Sequence, residues 1–307
     1  MPKKKTPTNL AASVHDRLLT IARERREELQ SVLTRYAVER LLFRLGKSTF
    51  REKIVLKGAV LFSLWNGSPH RPTRDVDFLA YGDASADEVS AIVRDLCAVD
   101  VEADGLDFLA DSVKPEPIRD RQVHGGVRLT LLAMLGTARV PLQIDVGFGD
   151  AVTPPPTMST FPTLLDFPAP HVRTYPPESV VAEKLEAMVS LGSANTRMKD
   201  FYDVWFLAGT RAFDGSTLSR AIGATFSRRG TRVPATTPTA FTKAFTRDRE
   251  KQAQWTAFLS RARLADAPPD LVDVMNRVAS FVLPAMGAVG RGDSFSSEWT
   301  PEAGWRR

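Results

Sequence analysis

Cysteine is nearly absent from this chain. The single Cys97 rules out an internal disulfide and fits a reducing compartment, so a cytoplasmic location is the expectation. The four histidines, His15, His70, His124 and His171, are scattered. Without Cys and His clusters there is no signature of a structural zinc site. Long apolar runs are missing too. None reaches the roughly 18 residues of a membrane span, so no membrane partner is expected. The opening MPKKKTPTNL is basic, but no apolar signal segment follows it. No internal repeat is visible.

What is present is the composition of a globular protein, 43% hydrophobic and 25% charged. At 307 residues it has room for two domains, or for one large domain with a helical appendix. The net charge of +5 is concentrated at the front. Residues 1–53 hold 13 Lys and Arg against 6 Asp and Glu, so the remainder is slightly acidic. Such a segment either meets a phosphate-bearing partner or is a solvated helical surface.

Residues 9–46 read as two helices, with Val14, Leu18, Ile21 and Ala22 and then Leu33, Ala37, Leu41 and Leu45 at helical spacing. The texture then changes. KIVLKG (53–58) predicts a short strand ending in glycine, AVLFSLWNG (59–67) a helix, and DVDFLA (75–80) a second strand. A helix over 85–98, strands over 106–113 and 127–134, and a strand in PLQIDVGFG (141–149) complete an α/β domain with a sheet of mixed direction, residues 1–152. The proline-rich stretch 153–170 reads as a linker. Beyond it the chain predicts a mostly helical domain over 171–290, beginning with helices at 176–192 and 196–209 and continuing at 215–226, 237–262 and 268–285. The Gly, Ser and charge of 291–307 read as a flexible tail.

In RDVDFLAYG, Asp75 and Asp77 are two apart in a strand and share a face, while Val76 and Phe78 share the other. Taken alone, such a pair binds Arg71, Arg74 or a helix N-terminus at a strand end. Two neighbours admit a second reading. Upstream, LKGAVLF places Gly58 directly after a strand and opens a helix, where backbone amides suit a phosphate. Downstream, Asp145 sits in an apolar strand with Gln143 and Gly147 on its own face. Three carboxylates from two strands form the kind of oxygen site that holds Mg²⁺ for phosphoryl or nucleotidyl transfer.

The order of glycine turn, helix, Asp-x-Asp strand and later single-Asp strand resembles the nucleotidyltransferase fold of the DNA polymerase β superfamily. More specifically, the sequence is similar to the AbiEii family of toxins, which includes the MenT toxins. KGAV … RPTRDVDF, AEKLEAM (182–188) and RMKDFYDVWFL (197–207) stand where that family has its motifs, and together they span about half the chain. In two places the chain departs: Ala59 replaces the family's second glycine and Val60 its Ser or Thr. Alanine keeps a backbone amide for phosphate but is disfavoured at positive φ. Val60 lacks a hydroxyl.

The resemblance implies a nucleotidyltransferase that uses Mg²⁺ or Mn²⁺ on Asp75, Asp77 and Asp145, with an NTP as substrate. It implies a tRNA 3′ end as acceptor and an antitoxin encoded nearby as partner. It places Lys57, Gly58, Ala59 and Arg71 at the nucleotide, with Arg74 beside them. In the second domain it implies that Lys184 is a cation reaching the triphosphate and that Asp203 and Asp200 are required for activity. Arg197 fixes those acids or touches the nucleotide. From the residues alone, Lys184 reads first as a lysine snorkelling from the edge of a packed helix face, and Asp200 and Asp203 as buried acids paired with Arg197, Lys199 or Lys184. The basic N-terminal helices are a candidate RNA-facing surface. Two rival functions stay open: nucleotidylation of a protein or small molecule, and a non-catalytic binder of nucleotide or RNA.

Overall fold

A computed structural model describes residues 9–82, 85–116 and 126–306. The basic Lys3–Lys5 and His124 lie outside the described residues. The chain divides into two compact units. The first comprises Met1–Gly149 and Thr157–Thr174, and the second Asp150–Pro156 and Tyr175–Arg307.

In chain order the first unit contains α1 (Leu10–Arg25), α2 (Leu29–Lys47), β1 (Ile54–Lys57), α3 (Leu61–Asn66), β2 (Asp75–Ala80), α4 (Ala86–Cys97), β3 (Leu106–Glu116), β4 (Gly126–Leu135), β5 (Ala138–Phe148), β6 (Thr157–Thr160) and β7 (His171–Thr174). The Asn9 side chain caps α1 by accepting from the Ala12 amide at 3.0 Å. Val14, Leu18 and Ala22 form the buried stripe of α1. A capping box of Ser85 and Glu88 opens α4.

Seven strands form one mixed sheet in the order β3-β4-β5-β2-β1-β7-β6. β2 runs parallel to β5 and antiparallel to β1, and β4 is antiparallel to β5. Alternation decides which side chains are buried. Val76, Phe78, Leu129, Leu131, Ile144 and Val146 are all buried, each contributing roughly 1.5–3 kcal/mol. Asp75, Asp77, Arg128 and Asp145, on the opposite face, stay half-buried. Helix α2 packs on β5 and β7, and α4 on β3.

The proline-rich 153–170 is not a free linker. Its middle forms edge strand β6, and Phe161 and Leu165 are buried. Two buried charges on α2 hold the loop that follows: the Leu164 amide donates to Glu39 at 2.7 Å, and Arg40 donates to the Pro168 carbonyl at 2.7 Å. Proline content suggested flexibility, but these anchors lie far away in sequence.

The second unit contains α5 (Pro177–Leu191), α6 (Met198–Thr210), β8 (Phe213–Asp214), α7 (Gly215–Arg228), α8 (Lys243–Thr246), α9 (Arg249–Ala262), α10 (Leu271–Arg291), β9 (Glu298–Thr300) and β10 (Gly304–Arg306), with short 3₁₀ turns at Gly192–Ala194 and Thr239–Phe241. It is mostly helical, as expected, with a small sheet of order β10-β9-β8 added. α5 packs on α7, and α10 on α6 and α7. By length and mean hydropathy, 1.2, α10 qualifies as a membrane span, contrary to the expectation that no run would. Here Val274, Val278, Phe281 and Ala285 are each fully buried within the unit, as in a core helix.

The tail is also ordered. Trp299 is buried and donates its indole N–H to the Ala208 carbonyl at 2.8 Å, and Trp305 donates to the Phe281 carbonyl at 2.9 Å. Gly, Ser and charged residues make up most of 291–307, but two aromatic anchors decide its structure.

Candidate active site

Lys57 ends β1 directly opposite Asp77 of β2. The chain then turns at Gly58, whose φ is +76°. Glycine is needed there twice over. A side chain would be strained at that φ, and a Cβ would fall 1.9 Å from Asp77 Oδ2. The Asp77 carboxylate therefore lies directly over the Gly58 backbone. Ala59, by contrast, is not among the described residues with positive φ, so replacing the family's second glycine brings no backbone strain. Val60 is buried, its side chain spent on the core. The helix that follows, α3, is only six residues long.

Asp77 faces Asp145 of β5 in parallel register, and Asp75 faces Gln143. One carboxylate oxygen from each of Asp75, Asp77 and Asp145 falls in a group whose members all lie within 4.8 Å of one another. Such a set of hard oxygen donors, half-buried and carried by rigid strands, fits a divalent cation. The Thr73 hydroxyl donates to Asp75 at 2.5 Å and orients it. Arg71 is half-buried and Arg74 exposed, both in the loop leading to Asp75. His70 is buried, its ring stacked on Phe62 with centroids 3.6 Å apart, which accounts for it structurally.

One member of this constellation was missed from the sequence. Arg128 of β4 sits opposite Asp145 and clamps it through both oxygens, Nε to Oδ1 at 2.8 Å and Nη2 to Oδ2 at 2.6 Å. Hydrogen bonding to Asp145 first, and the nearby charges of Asp145, Asp75 and Glu116, push the Arg128 pKa above its ordinary value against the opposing effect of burial. A row of charges thus crosses four adjacent strands: Lys57, Asp77, Asp145, Arg128. The signal for Arg128 was present. β4 and β5 form a hairpin in which Leu135 pairs with Ala138, leaving Gly136 and Thr137 as a two-residue loop. Counting back from that loop sets Arg128 against Asp145.

The second unit gathers a separate set. Lys184 of α5 lies 2.8 Å from Asp200 and 2.7 Å from Asp203, both on α6. Arg197, at the N-cap of α6, pairs with the other oxygen of Asp200 at 2.5 Å. Asp200 and Asp203 are buried, Lys184 mostly so, and Arg197 is partly exposed. Burial alone would raise the Asp200 pKa. The charges of Lys184 and Arg197 outweigh it and hold the carboxyl below its usual range. Lys184 and Arg197 are thus partners of these acids, while Lys199 is exposed.

A search of curated proteins gives no match. Among solved structures, the chain is similar to a candidate nucleotidyltransferase from H. pylori, with 13% identity, 86% of this chain and 96% of that one covered, and a TM-score of 0.48. It is also similar to JHP933 from Helicobacter pylori, with 12% identity, coverage of 93% and 94%, and a TM-score of 0.47. The family model of the nucleotidyl transferase AbiEii toxin, of type IV toxin–antitoxin systems, matches residues 40–277, well over half of the chain and inclusive of every site residue above. The chain therefore belongs to the AbiEii family of nucleotidyltransferase toxins, which implies an NTP substrate and an antitoxin partner.

Proposed function

We propose that this toxin transfers a nucleotidyl group from an NTP to the 3′-terminal hydroxyl of tRNA, using Mg²⁺ or Mn²⁺ held by Asp75, Asp77 and Asp145, and so blocks translation in the cytoplasm. The observation that carries the reading is the pairing of Asp77 with Asp145 next to Asp75, which gathers three carboxylates within 4.8 Å. A dication bound there would offset the charge of the triphosphate and of the departing pyrophosphate. The chain's own residues do the rest. Gly58 lets Asp77 lie against the backbone, Thr73 orients Asp75, and Arg128 fixes Asp145. The acceptor oxygen forms a bond to the α-phosphorus as the bond to the bridging α–β oxygen breaks. Its proton passes to a carboxylate of the cluster and pyrophosphate leaves.

Lys57, Arg71 and Arg74 are proposed as cations for the nucleotide, with the amides at Gly58 and Ala59. Lys184, Asp203 and Asp200 are proposed as required for activity and Arg197 as their support. The Lys184 ammonium is paired with two buried carboxylates. The tRNA acceptor rests on the resemblance to the MenT toxins and on the basic first helices, where Arg23 and Arg26 are exposed.

Incubation with each labelled NTP and total RNA, with and without Mg²⁺, tests the reading. Label should enter RNA of tRNA size only when a dication is present, and Asp77→Asn should abolish it. Label on protein alone would defeat the tRNA acceptor. Equal labelling in EDTA would defeat the metal.

A further inference from the structure

The Arg128 clamp places a fixed positive charge against one of three groups expected to hold a dication. Both oxygens of Asp145 accept from the guanidinium at 2.8 and 2.6 Å. The Thr73 hydroxyl donates to Asp75, and Asp77 lies over Gly58 with Lys57 opposite it on β1. Glu116 of β3 sits opposite Arg128 on its far side, so the guanidinium is flanked by carboxylates on both neighbouring strands. Arg128 is only about one-third exposed and Asp145 less, so the pair is partly shielded from solvent.

Two effects on a metal compete. Fixing the carboxylate helps coordination, but aspartate is short, and ordering it is worth about twofold to threefold. A cation close to a dication repels it. Charges of +1 and +2 about 6 Å apart repel by roughly tenfold in affinity even at the dielectric of water, and by more where solvent is excluded. Repulsion wins. A triphosphate reverses the balance, because its negative charge is attracted by both cations.

We infer that Arg128 is a positioning residue that holds Asp145 ready while discouraging a bare dication, so that metal and triphosphate enter the site together. This rests on the metal-dependent reading above. Ligand linkage makes the remaining coupling mutual: metal and nucleotide tighten each other by the same factor, while Arg128 weakens the bare metal and strengthens the triphosphate.

The test is Mn²⁺ titration of the full chain at low ionic strength without nucleotide, followed by electron paramagnetic resonance. Arg128→Gln should bind Mn²⁺ about tenfold more tightly than wild type, although its transfer rate falls. Arg128→Lys keeps the charge but not the two-pronged clamp. It should bind Mn²⁺ within about threefold of wild type and also transfer slowly. Adding Asp145→Asn to Arg128→Gln should remove the gain. Arg128→Met serves in place of Arg128→Gln if circular dichroism shows the latter unfolded. Wild-type binding that is lost in Asp77→Asn but not tightened by Arg128→Gln overturns this inference alone. Wild-type binding indifferent to Asp77→Asn overturns the metal reading and this inference with it.

Discussion

Gly58→Ala strikes the closest approach in the carboxylate cluster. The new Cβ would fall 1.9 Å from Asp77 Oδ2 and 2.6 Å from its Cγ. Nonbonded carbon and oxygen do not come so near, so the carboxylate must retreat by more than about 1 Å. Displacement on that scale at a reacting centre costs on the order of 10²-fold in rate. Separately, alanine held at a φ of +76° is strained, by about 1–2 kcal/mol. We expect kcat for labelled-nucleotide transfer to fall about a hundredfold, and the melting temperature to fall by a few degrees. Ala59→Gly is the matched control. Ala59 is not among the described positive-φ residues, so its variant should stay within about threefold of wild type. A folded Gly58→Ala protein that keeps more than about a third of wild-type kcat would refute the proposed placement of Asp77.

Lys184→Met should abolish transfer and also destabilise the protein, by about 3–5 kcal/mol, because it leaves Asp200 and Asp203 buried with one of their cations gone; denaturant unfolding measures this, and a fully stable variant would contradict it. Glu39 carries a pKa raised to about 7, chiefly by burial. A carboxyl raised in the folded state adds stability when protonated, and this is lost as pH climbs from about 4.5 through 7. Glu39→Gln should therefore gain on wild type by on the order of 3 kcal/mol between pH 5 and pH 8, read from paired melting curves, and a constant difference would exclude the linkage. Trp299→Ala should cost about 3–5 kcal/mol through loss of a buried indole and its bond to Ala208, whereas a flexible tail would tolerate it.

Much of the fold was legible because it rests on local periodicity. DVDFLA and PLQIDVGFG show alternation over short runs, and the helices at 176–192, 196–209 and 215–226 lie within a few residues of expectation. The stretch read as one helix over 237–262, by contrast, is broken into a 3₁₀ turn, α8 and α9, and the helix read over 268–285 runs on to Arg291. What escaped was non-local. Proline marks 153–170, and glycine, serine and charge mark 291–307, in any local window. Yet Phe161, Leu165, Trp299 and Trp305 anchor both segments to residues far along the chain. The same holds in the site. Asp75 and Asp77 announce themselves by spacing, and Lys184, Asp200 and Asp203 by carrying charge on apolar helix faces. Arg128 is one arginine in a strand of leucines, and only its pairing gives it meaning.

The two registers that build the carboxylate cluster differ in how they are set. The hairpin of β4 and β5 has a two-residue loop, so Arg128 accompanies Asp145 whatever else moves. The parallel pairing of β2 with β5 has no loop to fix it and depends on alternation. A slip of one residue would bring Asp145 opposite Val76 or Phe78 and drive its carboxylate toward the apolar face, a costly burial. A slip of two keeps the faces correct but takes Asp145 from Asp77 to Asp75 or Leu79. Alternation therefore excludes odd slips only. Asp77 itself is fixed independently of β5, by the antiparallel pairing that sets it opposite Lys57 and over the bare backbone of Gly58. An even slip of β5 would leave that pairing intact and still lose the match between Asp77 and Asp145.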